Sequence, residues 1–428
     1  MELYYSFSIL IVLATIFEYI NHRLLKLPST IGIMVIAISV SVILIIFGDT
    51  LFPKTTNHLH DLISSFDFTD VLMGAMLNFL LFAGGIHINI KDLKKQVAPV
   101  MILSTVGVVI STFAVAAGVY YLLPLIGVKI PFMYCLVFGA LISPTDPVAV
   151  LSILKKANVS KSLETKVAGE SLFNDGMAVV AFTVILQLAV GKDIDLTVEN
   201  IFMLLLKEAG GGILLGITLG YVASRAMRDI NDYILSVLVT LSVVMGGYLI
   251  ASSMHLSSPL TMVAAGLFMG NFNMKFKMKS ETQDYLVKFW ELIDEIMNAV
   301  LFLFIGFELL LIKNLDNYLL AGGICILIVL ISRWISIFLP TKIMAKKNRF
   351  SPQTIKVLVW GGIRGGVSIA LALSIPKNEY SDVIISITYC VVVFSIVVQG
   401  LTIGKVANPK KMVQEEDAHQ EIEAETTS

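Results

Sequence analysis

The run Gly169-Glu170-Ser171-Leu172-Phe173-Asn174-Asp175-Gly176 places two carboxylates, an amide and a hydroxyl inside a stretch that otherwise reads as apolar helix. An Asp at the centre of a membrane helix costs about 2.5–3.5 kcal/mol on insertion scales, so such residues mark ion or proton pathways. Glu170 and Asn174 are four residues apart, as are Ser171 and Asp175, so each pair shares a helix face and the two faces adjoin. The donors are all oxygen and amide, with neither thiolate nor imidazole, which suits a hard cation and disfavours zinc or copper. Burial and neighbouring charge together tune a carboxylate in such a place, so that it can exchange a proton for a metal ion.

Two further stretches carry helix breakers. Ser143-Pro144-Thr145-Asp146-Pro147 interrupts one apolar run and Gly361-Gly362-Ile363-Arg364-Gly365-Gly366 interrupts another. Pro144 and Pro147 have no amide hydrogen, so the carbonyls of Ala140 and Ser143 lose their helical donors. Within a bilayer those oxygens need another donor or a cation. Asp146 before Pro147 reads as N-cap and first residue of a second half-helix. A plain proline kink has no need of Asp146. Arg364 in the second break is placed to offset the negative ends of the half-helices. Arg333 is the counter-charge expected for Glu170. A purely structural ion-pair network would account for that pair as well as a functional one, but no second arginine is evident for Asp175.

Positioning these residues requires a polytopic membrane protein. The 428 residues are 56 % hydrophobic and 15 % charged, against roughly 25 % charged in soluble domains. A net charge of −1 gives no reason to expect nucleic acid as a partner. Cys135, Cys325 and Cys390 stand apart in apolar runs and form neither a disulfide framework nor a metal site. Windows of roughly 20 apolar residues give thirteen spans, centred near 3–26, 29–47, 68–88, 97–123, 130–153, 165–191, 200–224, 231–253, 258–272, 287–312, 317–340, 353–375 and 380–404. Span 9 is the shortest. Alternate loops hold Lys54, Lys129, Lys192, Lys313 and Lys377, whereas the other set carries the great majority of lysines and arginines, Arg23, Lys91, Lys94, Lys95 and Lys166 among them. This asymmetry puts the N-terminus outside and the C-terminus in the cytoplasm. The breaks fall in spans 5 and 12, equivalent positions in an all-α plan of two inverted six-helix repeats, 1–191 and 230–404, joined by a linking helix at 192–229. Paired interruptions of this kind point to a transporter's binding site. Residues 405–428 read as a short acidic tail without a folded core.

The three motifs together resemble the monovalent cation/proton antiporter family, and within it the NhaP-like sodium/proton exchangers of bacteria and archaea and their eukaryotic relatives. The resemblance covers about residues 1–404. It implies a secondary active antiporter of the prokaryotic plasma membrane, working by alternating access as a homodimer, without cofactor or ATP. No Walker-type phosphate loop is apparent in the chain. It implies that Asp175 carries cation and proton in turn, in one-for-one electroneutral exchange. Glu170, Ser171, Asn174, Thr145 and Asp146 would shape the site, with Asp175, Ser171 and Thr145 as cation ligands. Arg333 would balance Glu170, and Arg364 matches the arginine of the span 12 motif. Sodium is the expected ion, with potassium and lithium left open by an oxygen site. A cation channel would ordinarily repeat its acidic motif around a pore, and an intramembrane aspartyl protease using Asp146 and Asp175 would need a Gly-x-Gly-Asp motif that is absent.

Overall fold

The computed structural model describes residues 2–51, 71–147, 150, 151, 154, 159, 161–191, 198–228, 232–272, 280–312, 315–344 and 350–407. Most of the acidic tail and several basic loop residues, Lys155, Lys156 and Lys192 among them, lie outside these. Among the described residues every regular element is helical. The helices are α1 (Glu2–Ile20), α2 (Ser29–Leu51), α3 (Leu77–His87), α4 (Ile90–Lys95), α5 (Val97–Leu122), α6 (Phe132–Leu141), α7 (Lys161–Ala189), α8 (Val198–Leu205) and α9 (Gly211–Met227). They continue as α10 (Tyr233–Ser253), α11 (Ser258–Phe272), α12 (Ser280–Glu308), α13 (Leu315–Met344), α14 (Pro352–Trp360), α15 (Gly366–Leu373), α16 (Ser381–Phe394) and α17 (Gly400–Val406). Among the described residues, eight helical stretches are long and apolar enough to cross a membrane, while 73–87 and 132–141 are apolar but shorter.

Both interruptions expected from the sequence are present. α6 stops at Leu141 and residues 143–146 are non-helical, with helix resuming at Pro147. α14 begins on the Ser351 N-cap, whose hydroxyl accepts from Thr354 N at 3.1 Å, with Pro352 as its first residue. It stops at Trp360, and α15 begins six residues later, at Gly366, after the non-helical Gly361–Gly365. Span 10 differs from its expected range of 287–312, because α12 runs 280–308. Its early turns are amphipathic, so an apolar window passes over them.

α7 packs against α5, α6 and α11 and lies at the heart of the bundle. Small residues set the tightest crossings. A Cβ on Gly216 of α9 would lie 2.2 Å from Thr261 O of α11, and one on Gly270 would lie 2.2 Å from Ile86 O of α3. The dry interior is aromatic, with Phe82, Phe138, Trp290, Phe302, Phe304 and Phe307 fully buried. Large apolar side chains also cover the outside, among them Leu214, Tyr221, Leu249, Leu327 and Ile331. Such a surface is at home in lipid rather than water. Glu18, unexplained by the sequence, accepts from Asn21 Nδ2 at 3.3 Å, and Asn21 in turn clasps both backbone groups of Leu27 where α1 gives way to α2.

Candidate ion-binding site

Asp175 is the central residue of α7, fourteen positions from either end, or about 21 Å at 1.5 Å per residue. That places it near the middle of a 30 Å hydrocarbon layer. Five residues earlier, Glu170 accepts two hydrogen bonds from Arg333 of α13, Nη1 to Oε1 at 2.8 Å and Nη2 to Oε2 at 3.1 Å. This bidentate geometry is the strong form of a carboxylate–guanidinium pair. Asn174 donates to Glu170 Oε1 and to Thr145 Oγ1, each at 3.2 Å. The hydroxyls of Thr145 and Ser171 lie 2.9 Å apart. The Thr145 backbone lies close to the Asp175 carboxylate. The break after α6 and the middle of α7 therefore form one cluster. Glu170, Ser171, Asn174, Asp175 and Thr145 are buried in it, and the half-buried Asp146 lies within electrostatic range of Asp175.

The two breaks are laced together. Asp146 N donates to Ile363 O at 2.7 Å. Arg364 Nη1 donates to Ser143 O at 2.5 Å and to Pro144 O at 3.0 Å. The Ser143 carbonyl freed by Pro147 thus receives a guanidinium, while the Ala140 carbonyl freed by Pro144 receives Ser143 N at 3.2 Å. Two glycines allow the approach. A Cβ at 365 would sit 2.6 Å from Asp146 Oδ2, and one at 362 would sit 2.4 Å from Arg333 Nε.

Asp175 makes no ion pair among the described residues. Its Oδ1 and the Oδ1 of Asn174 are buried without a hydrogen-bond partner. Orphaned buried acceptors beside two hydroxyls fit an oxygen-coordinated cation. Asp175 also closes a cavity of about 620 Å³ that reaches past Ala168, Thr165 and Glu164 to Lys161 at the start of α7.

Several residues of this cavity were not singled out from the sequence. Glu291, Asp294, Glu295 and Asn298 of α12 line its wall, and Asp92 stands with them. Their spacing of three and four residues is that of one helix face, which was the available signal. Ser395 and Gln399 were missed as well. They meet the second break from the turn between α16 and α17.

The transmembrane model of the sodium/hydrogen exchanger family matches residues 9–408. The chain is 45 % identical to the Na(+)/H(+) antiporter NhaP of Pseudomonas aeruginosa over 398 residues, 92 % of this chain and 94 % of that protein. It is 34 % identical to the Na(+)/H(+) antiporter NhaH of Halobacillus aidingensis, over 90 % of this chain and 92 % of that one. The sodium proton antiporter MjNhaP1 of Methanocaldococcus jannaschii shares the fold, with a TM-score of 0.74 at 20 % identity, covering 95 % of this chain and 99 % of that one. A family model spanning the bundle and a relative aligned over nearly its full length lead to one assignment: the chain belongs to the sodium/hydrogen exchanger family.

Proposed function

We propose that this protein is a secondary antiporter that exchanges Na+ for H+ at Asp175, one for one. The observation that carries the reading is the contrast between two carboxylates five residues apart on α7. Glu170 is clamped by Arg333, whereas Asp175 has no ion-pair partner among the described residues and ends a cavity. The buried charge agrees with one-for-one exchange. Of the two buried carboxylates on α7, Glu170 is neutralised by Arg333, and Asp175 keeps one negative charge, which a single proton or monovalent cation neutralises. Moving an uncompensated charge through hydrocarbon is costly, so the empty, unprotonated site is disfavoured from crossing. Cation and proton therefore compete for one carboxylate, and each crosses only alone.

Ser171, Thr145 and Asn174 complete the oxygen set around the cation, and Arg364 holds the break in place. The sodium assignment follows the names of the relatives. The basic loops put the N-terminus outside and the Lys161 end of the cavity on the cytoplasmic side of a bacterial plasma membrane. The domain plan is two inverted repeats, 1–191 and 230–404, around the linking helix at 192–229, and the working unit is a homodimer.

The test is proton flux in proteoliposomes on addition of Na+, K+ or Li+, with the potential clamped by valinomycin and K+ in the Na+ and Li+ arms. Wild-type protein should dissipate a pH gradient on addition of Na+ without dependence on potential. Asp175→Asn should abolish the flux while the protein still folds. Full exchange by that variant rejects the assignment, and potential-dependent flux rejects the stoichiometry.

A further inference from the structure

The second break leaves a complete set of backbone groups to be satisfied in a place where water is scarce. The last four carbonyls of α14, those of Val357, Leu358, Val359 and Trp360, have no donor within the helix. Val357 O takes Gly361 N at 2.7 Å and Val359 O takes Gly362 N at 3.4 Å. Leu358 O takes Arg333 Nε at 3.2 Å and Nη2 at 3.0 Å. Trp360 O takes Gln399 Nε2 at 2.9 Å. On the far side of the break, Arg364 N donates to Ser395 Oγ at 2.8 Å, and Ser395 Oγ donates to Gln399 Oε1 at 2.6 Å. Ser395 and Gln399 are themselves buried, and they bracket a π-helical turn, Ser395–Gln399, between α16 and α17. Widened turns of this type often mark functional sites. Here both polar side chains are presented to the break from a single turn.

We infer that Ser395 and Gln399 are positioning residues for ion binding: together they close the broken segment 361–364 and so aim Arg364 at the Ser143 and Pro144 carbonyls. The inference rests on the antiporter reading above. Its route is short. Ser395 fixes the Arg364 backbone, the Arg364 guanidinium fixes the 143–146 segment, and that segment presents Thr145 to Ser171, Asn174 and Asp175. Neither Ser395 nor Gln399 needs to touch the ion.

The experiment is Na+-driven exchange by Ser395→Ala, Gln399→Met and the double variant in proteoliposomes, with wild type and Asp175→Asn alongside. Each single variant should raise the half-saturating Na+ concentration about tenfold, the scale of one lost buried hydrogen bond. The maximal rate should hold within about twofold, because the reacting carboxylate is untouched. The double variant should be no worse than the weaker single one, because the two side chains act as one unit. Wild-type half-saturation in both single variants overturns the inference. So do multiplicative effects in the double variant. Loss of folded protein in both single variants also overturns it, since the network is then structural only. Exchange retained by Asp175→Asn instead rejects the antiporter reading itself, so the two failures are distinguishable.

Discussion

Arg333 carries two loads at once. Its guanidinium clamps Glu170 and also donates twice to Leu358 O, the carbonyl that ends a helix. Removing it strands a buried carboxylate and a buried carbonyl together. Breaking a buried pair by deleting one partner costs about 3–5 kcal/mol. Arg333→Ala should therefore lower the thermal midpoint of the purified protein well below that of Glu170→Gln, which leaves the guanidinium with its carbonyl. Glu170→Gln combined with Arg333→Met should recover part of the loss but not all, because Leu358 O stays without its donor. Equal midpoints for Arg333→Ala and the double variant would separate Arg333 from Glu170. By contrast, Asp175→Asn removes a charge that has no ion-pair partner among the described residues, so its thermal midpoint should change little even as exchange disappears.

At the level of elements, the breaks are what bring separate stretches of chain to one point, and their glycines set the distances. Gly362→Ala would put a methyl against Arg333 Nε, whose guanidinium is already held by Glu170 and Leu358 O. Overpacking of this kind costs about 1–3 kcal/mol, so this variant should lose both stability and exchange. Gly365→Ala meets the half-buried Asp146 side chain instead. It should mainly raise the half-saturating Na+ concentration, with a smaller fall in midpoint. The reverse order, measured by thermal shift and proteoliposome flux, would contradict this division of labour. These breaks were legible in the sequence because proline and glycine act on the backbone where they stand. The α7 cluster was legible because charge inside an apolar run is conspicuous. The acidic wall of α12 was less so, since Glu291, Asp294 and Glu295 lie near the start of span 10, beside the amphipathic turns where charge is ordinary. Ser395 and Gln399 were illegible for a different reason. A serine and a glutamine in an apolar helix are ordinary, and their role exists only once α14 and α15 are folded beside them. The same holds for the Ala140 carbonyl, whose replacement donor, Ser143 N, depends on the local shape of the break.

Across the whole molecule, α7 separates two recesses of unequal depth. The 620 Å³ cavity reaches Asp175 from the Lys161 end. A second recess of about 390 Å³, lined by Met73, Gly74, Tyr248, Ser258 and Pro259, stops at Val179, one turn beyond. The partition between them is thin, about 6 Å of helix rise, and Leu260 of α11 fills part of it. Leu260 packs so closely on Gly176 that a Cβ there would lie 2.5 Å from its Cδ2. If the site is exposed to the two sides in turn, this contact belongs to the arrangement with the Val179 side closed and must separate in the other. Leu260→Ala should then destabilise the closed side selectively. A buried Leu→Ala change costs about 2–5 kcal/mol, and a differential share of about 1.4 kcal/mol moves a two-state ratio tenfold. The measurement is labelling of single cysteines, Ala168→Cys in the deep cavity and Val179→Cys in the shallow one, by a membrane-impermeant thiol reagent, with Cys135, Cys325 and Cys390 replaced. Adding Leu260→Ala should raise labelling at 179 and lower it at 168, with equal and opposite changes in the two populations, because one grows only as the other shrinks. A rise at both positions would mean a continuous aqueous path, the behaviour of a channel. No change at either would show that Leu260 packs equally well in both arrangements and that the partition lies elsewhere.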